Sequence, residues 1–347
     1  MEHTDDRLYF LSDYMEGAHP AVLEALVRTN LEKTSGYGED RFCDEARSLI
    51  RGACGCPDAE IHFLVGGTQT NAVVIGACLR PWQGVIAPET GHISNHEAGA
   101  IERGGHKVLT LPQRNGKITA DDVRRFCANY WADGNREHIV MPGMVCIAQP
   151  TEYGTLYSRE ELTVLHDVCR EFDLPLYVDG ARLAYALACP ANDVSLRDLA
   201  ALSDIFYIGG TKCGALLGEA IVVTRPELLP HFFTVIKQNG ALLAKGRLLG
   251  VQFGALFRDD LYRRLGETAI AHADVIRRSL TEKGYELAFD APTNQIFVRL
   301  ENRVMERLAR DVAFSFWEAS DADHAVIRLC TSWATTDEDV SRLLEIL

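Results

Sequence analysis

Two short apolar runs, each followed by a polar break that contains glycine, constrain the fold of this chain most. The runs are 174–178 (LPLYV) and 204–208 (DIFYI), and they have the length and composition of strands buried in a parallel sheet. Asp179 follows the first run directly, and Lys212 lies four residues beyond the second. Because ligands bind outside the carboxyl ends of the strands in such a sheet, we expect this acid and this amine to face one crevice.

A carboxylate and an amine in one crevice are the arrangement of an enzyme that holds pyridoxal 5'-phosphate (PLP). The lysine forms a Schiff base with the cofactor, and the carboxylate keeps the pyridine nitrogen protonated so that the ring accepts electrons. Two simpler interpretations remain. Asp179 could cap the next helix, and Lys212 could be a surface lysine, although surface lysines seldom follow a buried strand and two glycines.

Strand and helix patterns alternate from residue 61 to residue 224, which predicts an α/β fold with a mostly parallel central sheet sandwiched by helices. After Pro226 the pattern changes to long helical segments at 228–257 and 261–283, followed by short strands. With 347 residues, we predict a large domain over 1–240 and a smaller C-terminal α+β domain over 241–347.

The segment after the strand at 61–65 reads GGTQTN and leads into a helix predicted over 72–79. Free N–H groups at a helix start favour a bound anion, so this turn is a candidate phosphate site. A plain strand–helix turn explains the same residues equally well.

Composition limits the partners. The formal charge is −14 with no basic run, which argues against nucleic acid or an anionic membrane as a partner. No apolar run approaches the ~18 residues of a membrane span, and the acidic start lacks the apolar region of a signal peptide.

The ten scattered cysteines fit reduced thiols of a cytoplasmic protein. Cys54 and Cys56 form the only close pair, and without a second Cys or His pair nearby we expect no metal site.

Seven motifs occur in an order that is similar to that of the threonine aldolase/β-eliminating lyase family, of the low-specificity threonine aldolase type. They are FLSDY (10–14), YGED (37–40), GGT (66–68), HISNHEAG (92–99), DGAR (179–182), TK (211–212) and IRLCTSWAT (327–335). The resemblance covers essentially the whole chain. It implies a PLP enzyme of fold type I, the aspartate-aminotransferase fold.

The resemblance also implies roles around the cofactor. Lys212 would be the Schiff-base lysine, and Asp179 would pair with the pyridine nitrogen. His92 would stack on the ring, with a solvated turn histidine as the alternative. Gly67 and Thr68 would bind the phosphate.

A further set of residues would meet the substrate. Arg182 and Arg328 would grip its carboxylate, although either could instead form an internal ion pair. Ser12 would assist them. Tyr37 and Lys245 would reach the site from a neighbouring subunit, Lys245 toward the phosphate, which requires a homodimer or homotetramer with shared active sites.

The chain departs from the family pattern in two places. Glu152 stands where many threonine aldolases carry a histidine near the substrate's β-hydroxyl, and a carboxylate can also act as a base there. Trp333 follows the late arginine where a Thr-His pair is common, and we predict that it favours a large β-substituent.

The implied activity is that of an aldehyde-lyase, which cleaves a β-hydroxy-α-amino acid of the threonine, allo-threonine or phenylserine type to glycine and an aldehyde. Another PLP reaction on the same scaffold, β-elimination or transamination, is the first alternative. A PLP-binding protein without catalysis is the second, although a binder has no need of two carboxylate-gripping arginines.

Overall fold

A computed structural model describes residues 7–347. Its strands are, in chain order, β1 (Leu8–Tyr9), β2 (Glu60–Leu64), β3 (Gln83–Pro88), β4 (Val108–Leu111), β5 (Met141–Ala148), β6 (Leu176–Asp179), β7 (Ile205–Gly209), β8 (Glu219–Val223), β9 (Glu286–Leu287), β10 (Gln295–Glu301), β11 (Val312–Ala313), β12 (Ser315–Ala319) and β13 (His324–Cys330).

The α-helices are α1 (Pro20–Thr29), α2 (Arg41–Cys54), α3 (Gly67–Cys78), α4 (His92–Asn95), α5 (Ala100–Arg103), α6 (Ala120–Ala132), α7 (Arg159–Glu171), α8 (Leu183–Ala188), α9 (Leu196–Leu202), α10 (Phe232–Gln238), α11 (Arg247–Leu256), α12 (Leu261–Glu282), α13 (Asn302–Leu308) and α14 (Asp337–Ile346). None of the helices within residues 7–347 combines the length and the apolar composition needed to cross a membrane.

The central sheet has seven strands in the order β2-β8-β7-β6-β5-β3-β4. Strands β3 to β7 run parallel, and β8 is antiparallel to both of its neighbours. Alternate residues of β7 enter different cores: Phe206 and Ile208 pack on one face of the sheet, Ile205 and Tyr207 on the other. Both faces are thus covered, as the unbroken apolar run predicted.

Capping chemistry sets several helix starts. Capping boxes form at Thr119 and Ser158, the residues before α6 and α7. Helix α2 begins at Arg41, because Asp40 accepts the N–H groups of Phe42 and Cys43.

Two predicted helices were wrong in extent. The helix predicted over 72–79 starts five residues earlier, so Gly67 and Thr68 lie in its first turn. The single helical stretch predicted over 228–257 is two helices, α10 and α11, because the chain turns at Gly240, whose φ of 66° ends the first helix.

The C-terminal sheet has four antiparallel strands in the order β12-β13-β10-β9. Three of them match the predicted strands, and β12 was not predicted. Strand β1 pairs in parallel with β11, so the start of the chain packs with its end, and Leu8 and Phe10 join the core beneath Ile327 and Leu329. The boundary between residues 240 and 241 stays a prediction.

Candidate active site

A cavity of about 580 Å³ lies between the carboxyl ends of the central strands and the C-terminal sheet. Thirteen residues line it, and five of them are predicted site residues: His92, Glu152, Arg182, Lys212 and Arg328. The structure therefore brings His92 and Arg328, which are 236 positions apart in the sequence, to the same cavity.

Asp179 is held rigidly at the end of β6. Its Oδ1 accepts hydrogen bonds from the Tyr207 hydroxyl (2.5 Å) and the Ala181 N–H (3.0 Å), and its Oδ2 accepts one from Asn71 Nδ2 (3.1 Å). The Asn71 side chain is in turn fixed by the Tyr177 hydroxyl at 2.7 Å. A buried carboxylate with several donors has one orientation and keeps a lone pair for a further donor.

The same network reaches His92. Asn71 Nδ2 also donates to Glu97 Oε1 at 2.7 Å, and His92 Nδ1 lies 2.7 Å from that oxygen. Burial raises the pKa of Glu97 despite these hydrogen bonds. Burial opposes charge on His92 as well, but the hydrogen bond to Glu97 and the charges of Glu152 and Asp179 raise its pKa. Helix α4, predicted as a polar turn, presents this histidine to the cavity.

The first turn of α3 fits an anion. Gly66 caps the helix with no side chain bonded to its N–H groups, and Gly67 and Thr68 follow. A Cβ on Gly67 would lie 3.0 Å from the hydroxyl of Tyr207, the residue that also donates to Asp179. Tyr207 therefore lies between the candidate phosphate turn at Gly67 and Asp179, the candidate partner of the pyridine nitrogen.

Arg182 forms a buried ion pair. Its Nε and Nη2 donate to the two oxygens of Asp13 at 2.7 and 3.1 Å, and Asn294 donates to the same carboxylate at 3.0 Å. Burial opposes the charge on Asp13, but the Arg182 and Lys212 charges lower its pKa to about 2. The two-point grip expected for a substrate is thus made to Asp13, and Nη1 is the guanidinium nitrogen with no hydrogen bond within residues 7–347.

Arg328 differs, since its partners within the described chain are all neutral. Nη1 donates to Gln295 Oε1 at 2.9 Å, and Nη2 donates to Ser315 Oγ at 3.1 Å and the Leu11 carbonyl at 3.3 Å. Its Nε is buried with no partner, and the group lies 5.5 Å from the centre of the Trp317 ring. A guanidinium without a counter-ion at a cavity wall has the charge and the geometry to bind a carboxylate.

Two further side chains, those of Lys212 and Glu152, face the cavity and form neither a close ion pair nor a hydrogen bond with residues 7–347. The Lys212 amine lies 5.9 Å from the centre of the Tyr14 ring and forms no ion pair there. Glu152 is only 9% exposed, and its carboxylate accepts no hydrogen bond from the described residues. Side chains that point into a cavity in this state are available to a ligand.

Six predicted site residues are not among those that line the cavity, and three of them, Gly67, Thr68 and Asp179, are described above. The other three are Ser12, Tyr37 and Lys245. Ser12 is buried beside Asp13, in the segment whose Leu11 carbonyl accepts from Arg328. Tyr37 and Lys245 are exposed and lie on two adjoining loops, joined by the Tyr37 N–H and the Ala244 carbonyl at 3.1 Å. The described chain alone does not bring this pair to the cavity.

Sequence reasoning missed the aromatic wall of the cavity. Tyr153 stacks on Phe289 with ring centres 4.2 Å apart, and Trp317 packs edge-on to Phe297 at 4.9 Å. The two adjacent aromatic residues in β12 (SFWEA), a residue type that is enriched in strands, were the available signal for this strand. The role expected for Trp333 is not supported by its position: it packs against His19 at 5.6 Å and is not among the cavity residues.

Comparison with known proteins gives a consistent result. A family model described as β-eliminating lyase matches residues 9–334. A low-specificity L-threonine aldolase of Pseudomonas aeruginosa is 30% identical over 99% of this chain and 97% of its own length. A solved structure of a threonine aldolase from Leishmania major is 42% identical, has a TM-score of 0.94 and covers 97% of this chain and 98% of that chain.

A more distant structure shares the fold. An aspartate aminotransferase double mutant from Thermus thermophilus has a TM-score of 0.73 at 19% identity and covers 98% of this chain and 91% of that chain. The predicted fold, fold type I with a mostly parallel sheet and a small C-terminal sheet, is confirmed.

Proposed function

This chain belongs to the β-eliminating lyase family, and from that premise we propose that it cleaves β-hydroxy-α-amino acids to glycine and an aldehyde. It is a PLP-dependent lyase, and the predicted resemblance to threonine aldolases is confirmed. One observation carries the proposal. Three groups of the described chain face one cavity. They are the Lys212 amine, which forms no ion pair, the Arg328 guanidinium, whose partners are neutral, and the Glu152 carboxylate, which accepts no hydrogen bond.

The residues present fit PLP. Asp179 offers a fixed, buried carboxylate for a pyridine nitrogen, and Lys212 offers an amine on the neighbouring strand end. The uncapped first turn of α3 at Gly67 and Thr68 offers N–H groups for a phosphate. His92, held by Glu97, is positioned to stack on a ring placed between these groups.

When bound, PLP supplies a ring that accepts the electron pair left on Cα when the Cα–Cβ bond breaks. The chain supplies the rest. Arg328 binds the substrate carboxylate, which orients the amino acid at the cavity wall. Glu152 accepts the proton of the β-hydroxyl, with a water held by His92 as the alternative base. Asp179 keeps the ring nitrogen protonated and thereby keeps the ring electron-poor.

Arg182 keeps a reduced role in this proposal. Nη1 remains for the substrate or cofactor, while the other donors hold Asp13 and, through it, the segment that contains Ser12. We infer that Arg182 shapes the carboxylate site chiefly by fixing this segment beside Arg328.

We infer a homodimer or homotetramer with shared sites. The support is the paired loops that carry Tyr37 and Lys245, since close backbone packing of Gly246 on Gly38 presents both side chains outward as one unit. Mixing a Lys212→Ala chain with a Lys245→Ala chain tests this. Restored activity in the mixture supports sharing, and two inactive parents that stay inactive when mixed at equal subunit exchange contradict it.

We also propose the division into domains at 240/241, supported by separate cores in the two sheets. A cytoplasmic location is supported by the ten cysteines, all of which are unpaired.

A product screen tests the activity. Purified holoenzyme is given L-threonine, L-allo-threonine, phenylserine and the D-enantiomers, with Lys212→Ala as the control. Glycine and an aldehyde in equal amounts are the expected products. Keto acid with ammonia would identify elimination instead, and keto acid without free ammonia would identify transamination. Borohydride treatment should fix PLP on the peptide that contains Lys212; PLP fixed elsewhere would contradict the site.

A further inference from the structure

A further buried carboxylate contacts the loop that carries Lys212 and has no role in the mechanism above. Glu219 begins β8 and is almost fully buried. Its Oε2 accepts the Gly210 N–H at 3.0 Å, and its Oε1 accepts the Thr211 hydroxyl at 2.8 Å. The Thr211 oxygen in turn accepts the Gly218 N–H at 3.0 Å. One carboxylate thus ties together both ends of the loop that carries Lys212.

A neutral side chain holds the other half of the same loop. Gln252, also buried, accepts the N–H groups of Leu216 and Leu217 on Oε1 at 2.8 and 3.4 Å. Its Nε2 is anchored to the Leu248 carbonyl at 3.1 Å. A neutral amide thus holds the Leu216–Leu217 part of this loop, whereas Glu219 holds the Gly210–Thr211 part with both oxygens of a group that can also carry a charge.

Whether Glu219 is charged depends on the pH, because its surroundings shift its pKa toward neutrality. Burial raises its pKa to about 8, although the Thr211 and Gly210 hydrogen bonds and the Lys212 charge lower it and Asp179 raises it further. The titratable groups that face it come from β6, β7, α12 and the loop; they are Tyr177, Asp179, Tyr207, Tyr262, Lys212 and Cys213. Burial raises the pKa of the three tyrosines and the thiol, so they stay neutral near pH 8.

We propose that Glu219 is a positioning residue for Lys212: its carboxylate holds the Gly210–Thr211 turn and provides the counter-charge for positive charge on the lysine nitrogen. The inference rests on the proposed assignment of Lys212 as the cofactor lysine.

The test compares three variants of the PLP-loaded protein by the pH midpoint of the cofactor absorbance. Glu219→Gln keeps the size and an acceptor but removes the charge, so the midpoint should fall by about one pH unit. Glu219→Asp keeps the charge, and its midpoint should stay within about 0.3 units of the wild type. Gln252→Ala loosens the same loop without a change of charge, and it should lower the melting temperature without moving the midpoint.

Several results would overturn the proposal. If the midpoint of Glu219→Gln is the same as that of the wild type, Glu219 does not act as a counter-charge. If Gln252→Ala or Glu219→Asp shifts the midpoint as much as Glu219→Gln does, the effect comes from loop geometry. If Glu219→Gln does not fold, Glu219→Asp and Gln252→Ala still test the geometric alternative, because a shifted midpoint in either variant would contradict the proposal. The midpoint depends on PLP attached to Lys212 and not on turnover, so a missing glycine product refutes the proposed activity alone, whereas PLP fixed on another lysine refutes both.

Discussion

The two walls of the cavity are built differently. On the sheet wall, Asp179 accepts three hydrogen bonds and His92 is held by Glu97, so each side chain has one orientation. On the C-terminal wall, Arg328 has a buried Nε with no partner in the described chain and binds only neutral groups. The difference teaches where a carboxylate ligand is needed: the chain itself holds Asp179 and His92 on the sheet wall, whereas Arg328 on the C-terminal wall carries a charge that a bound carboxylate would balance.

Arg182 belongs with the side chains that the chain itself holds, because Asp13 balances its charge. Asp13→Ala tests this assignment, and we expect it to give the largest effect of the variants. Removal of one partner leaves the buried guanidinium uncompensated, which should lower the free energy of unfolding by about 3–5 kcal/mol. Urea denaturation measures it. The control is Glu24→Ala, which breaks an exposed pair with Arg28 and should leave the midpoint near that of the wild type. Equal losses of unfolding free energy in the two variants would show that Arg182, like Arg328, depends on a ligand for its counter-charge.

Arg328→Ala tests the second wall. Loss of a charge-assisted carboxylate contact should reduce kcat/KM for the amino acid by about 100-fold, or ~2.7 kcal/mol. The unfolding free energy should change little, because no ion pair within residues 7–347 is broken. Steady-state kinetics and urea denaturation measure the two quantities. Arg299→Ala on β10 is the control and should keep wild-type kinetics; a stability loss without a kinetic loss in Arg328→Ala would reverse our assignment of the walls.

The Asp13 pair should also give acid sensitivity. Its folded pKa of about 2 lies below the ordinary value of 3.8, so the pair contributes stability above pH 3.8 that is lost as the pH falls toward 2. The shift corresponds to about 2 kcal/mol. Unfolding free energies measured from pH 5 to pH 2 should therefore fall more steeply for the wild type than for Asp13→Asn. Parallel curves would show that the pair does not respond to acid.

The aromatic side of the cavity gives the smallest effect. Trp317→Ala should lower the preference for phenylserine over threonine about 3- to 10-fold, because one aromatic contact contributes about 0.5–1.5 kcal/mol. Trp333→Ala is the matched variant and should leave the ratio unchanged, since Trp333 packs on His19 outside the cavity. A change in the ratio for Trp333→Ala alone would restore its sequence-based role.

Local patterns predicted the sheet wall well. Asp179 and Lys212 each come after a strand that its apolar residues alone predict. Because β6 and β7 are parallel neighbours, both residues lie at the same edge of the sheet. The partner of Arg182 was not predictable in this way, because Asp13 lies 169 positions away and no local pattern links them. The end of α10 at Gly240 was missed because the apolar spacing continues past it.

The aromatic wall was missed for another reason. Trp317 lies on a strand whose side chains are mostly exposed or half-buried, so it lacks the apolar run that marks β6 and β7. The roles of Tyr37 and Lys245 stay predictions, since both residues lie outside the cavity of one chain.

The pairing of β1 with β11 has a consequence for biosynthesis. Leu8 lies beside Val312, so the first strand has no partner until nearly the whole chain has left the ribosome. At about 5–20 residues per second this delay is roughly 15–60 s. The segment that carries Ser12 and Asp13 can take its place only then, so a nascent chain of this enzyme has its cofactor wall before it has its substrate wall.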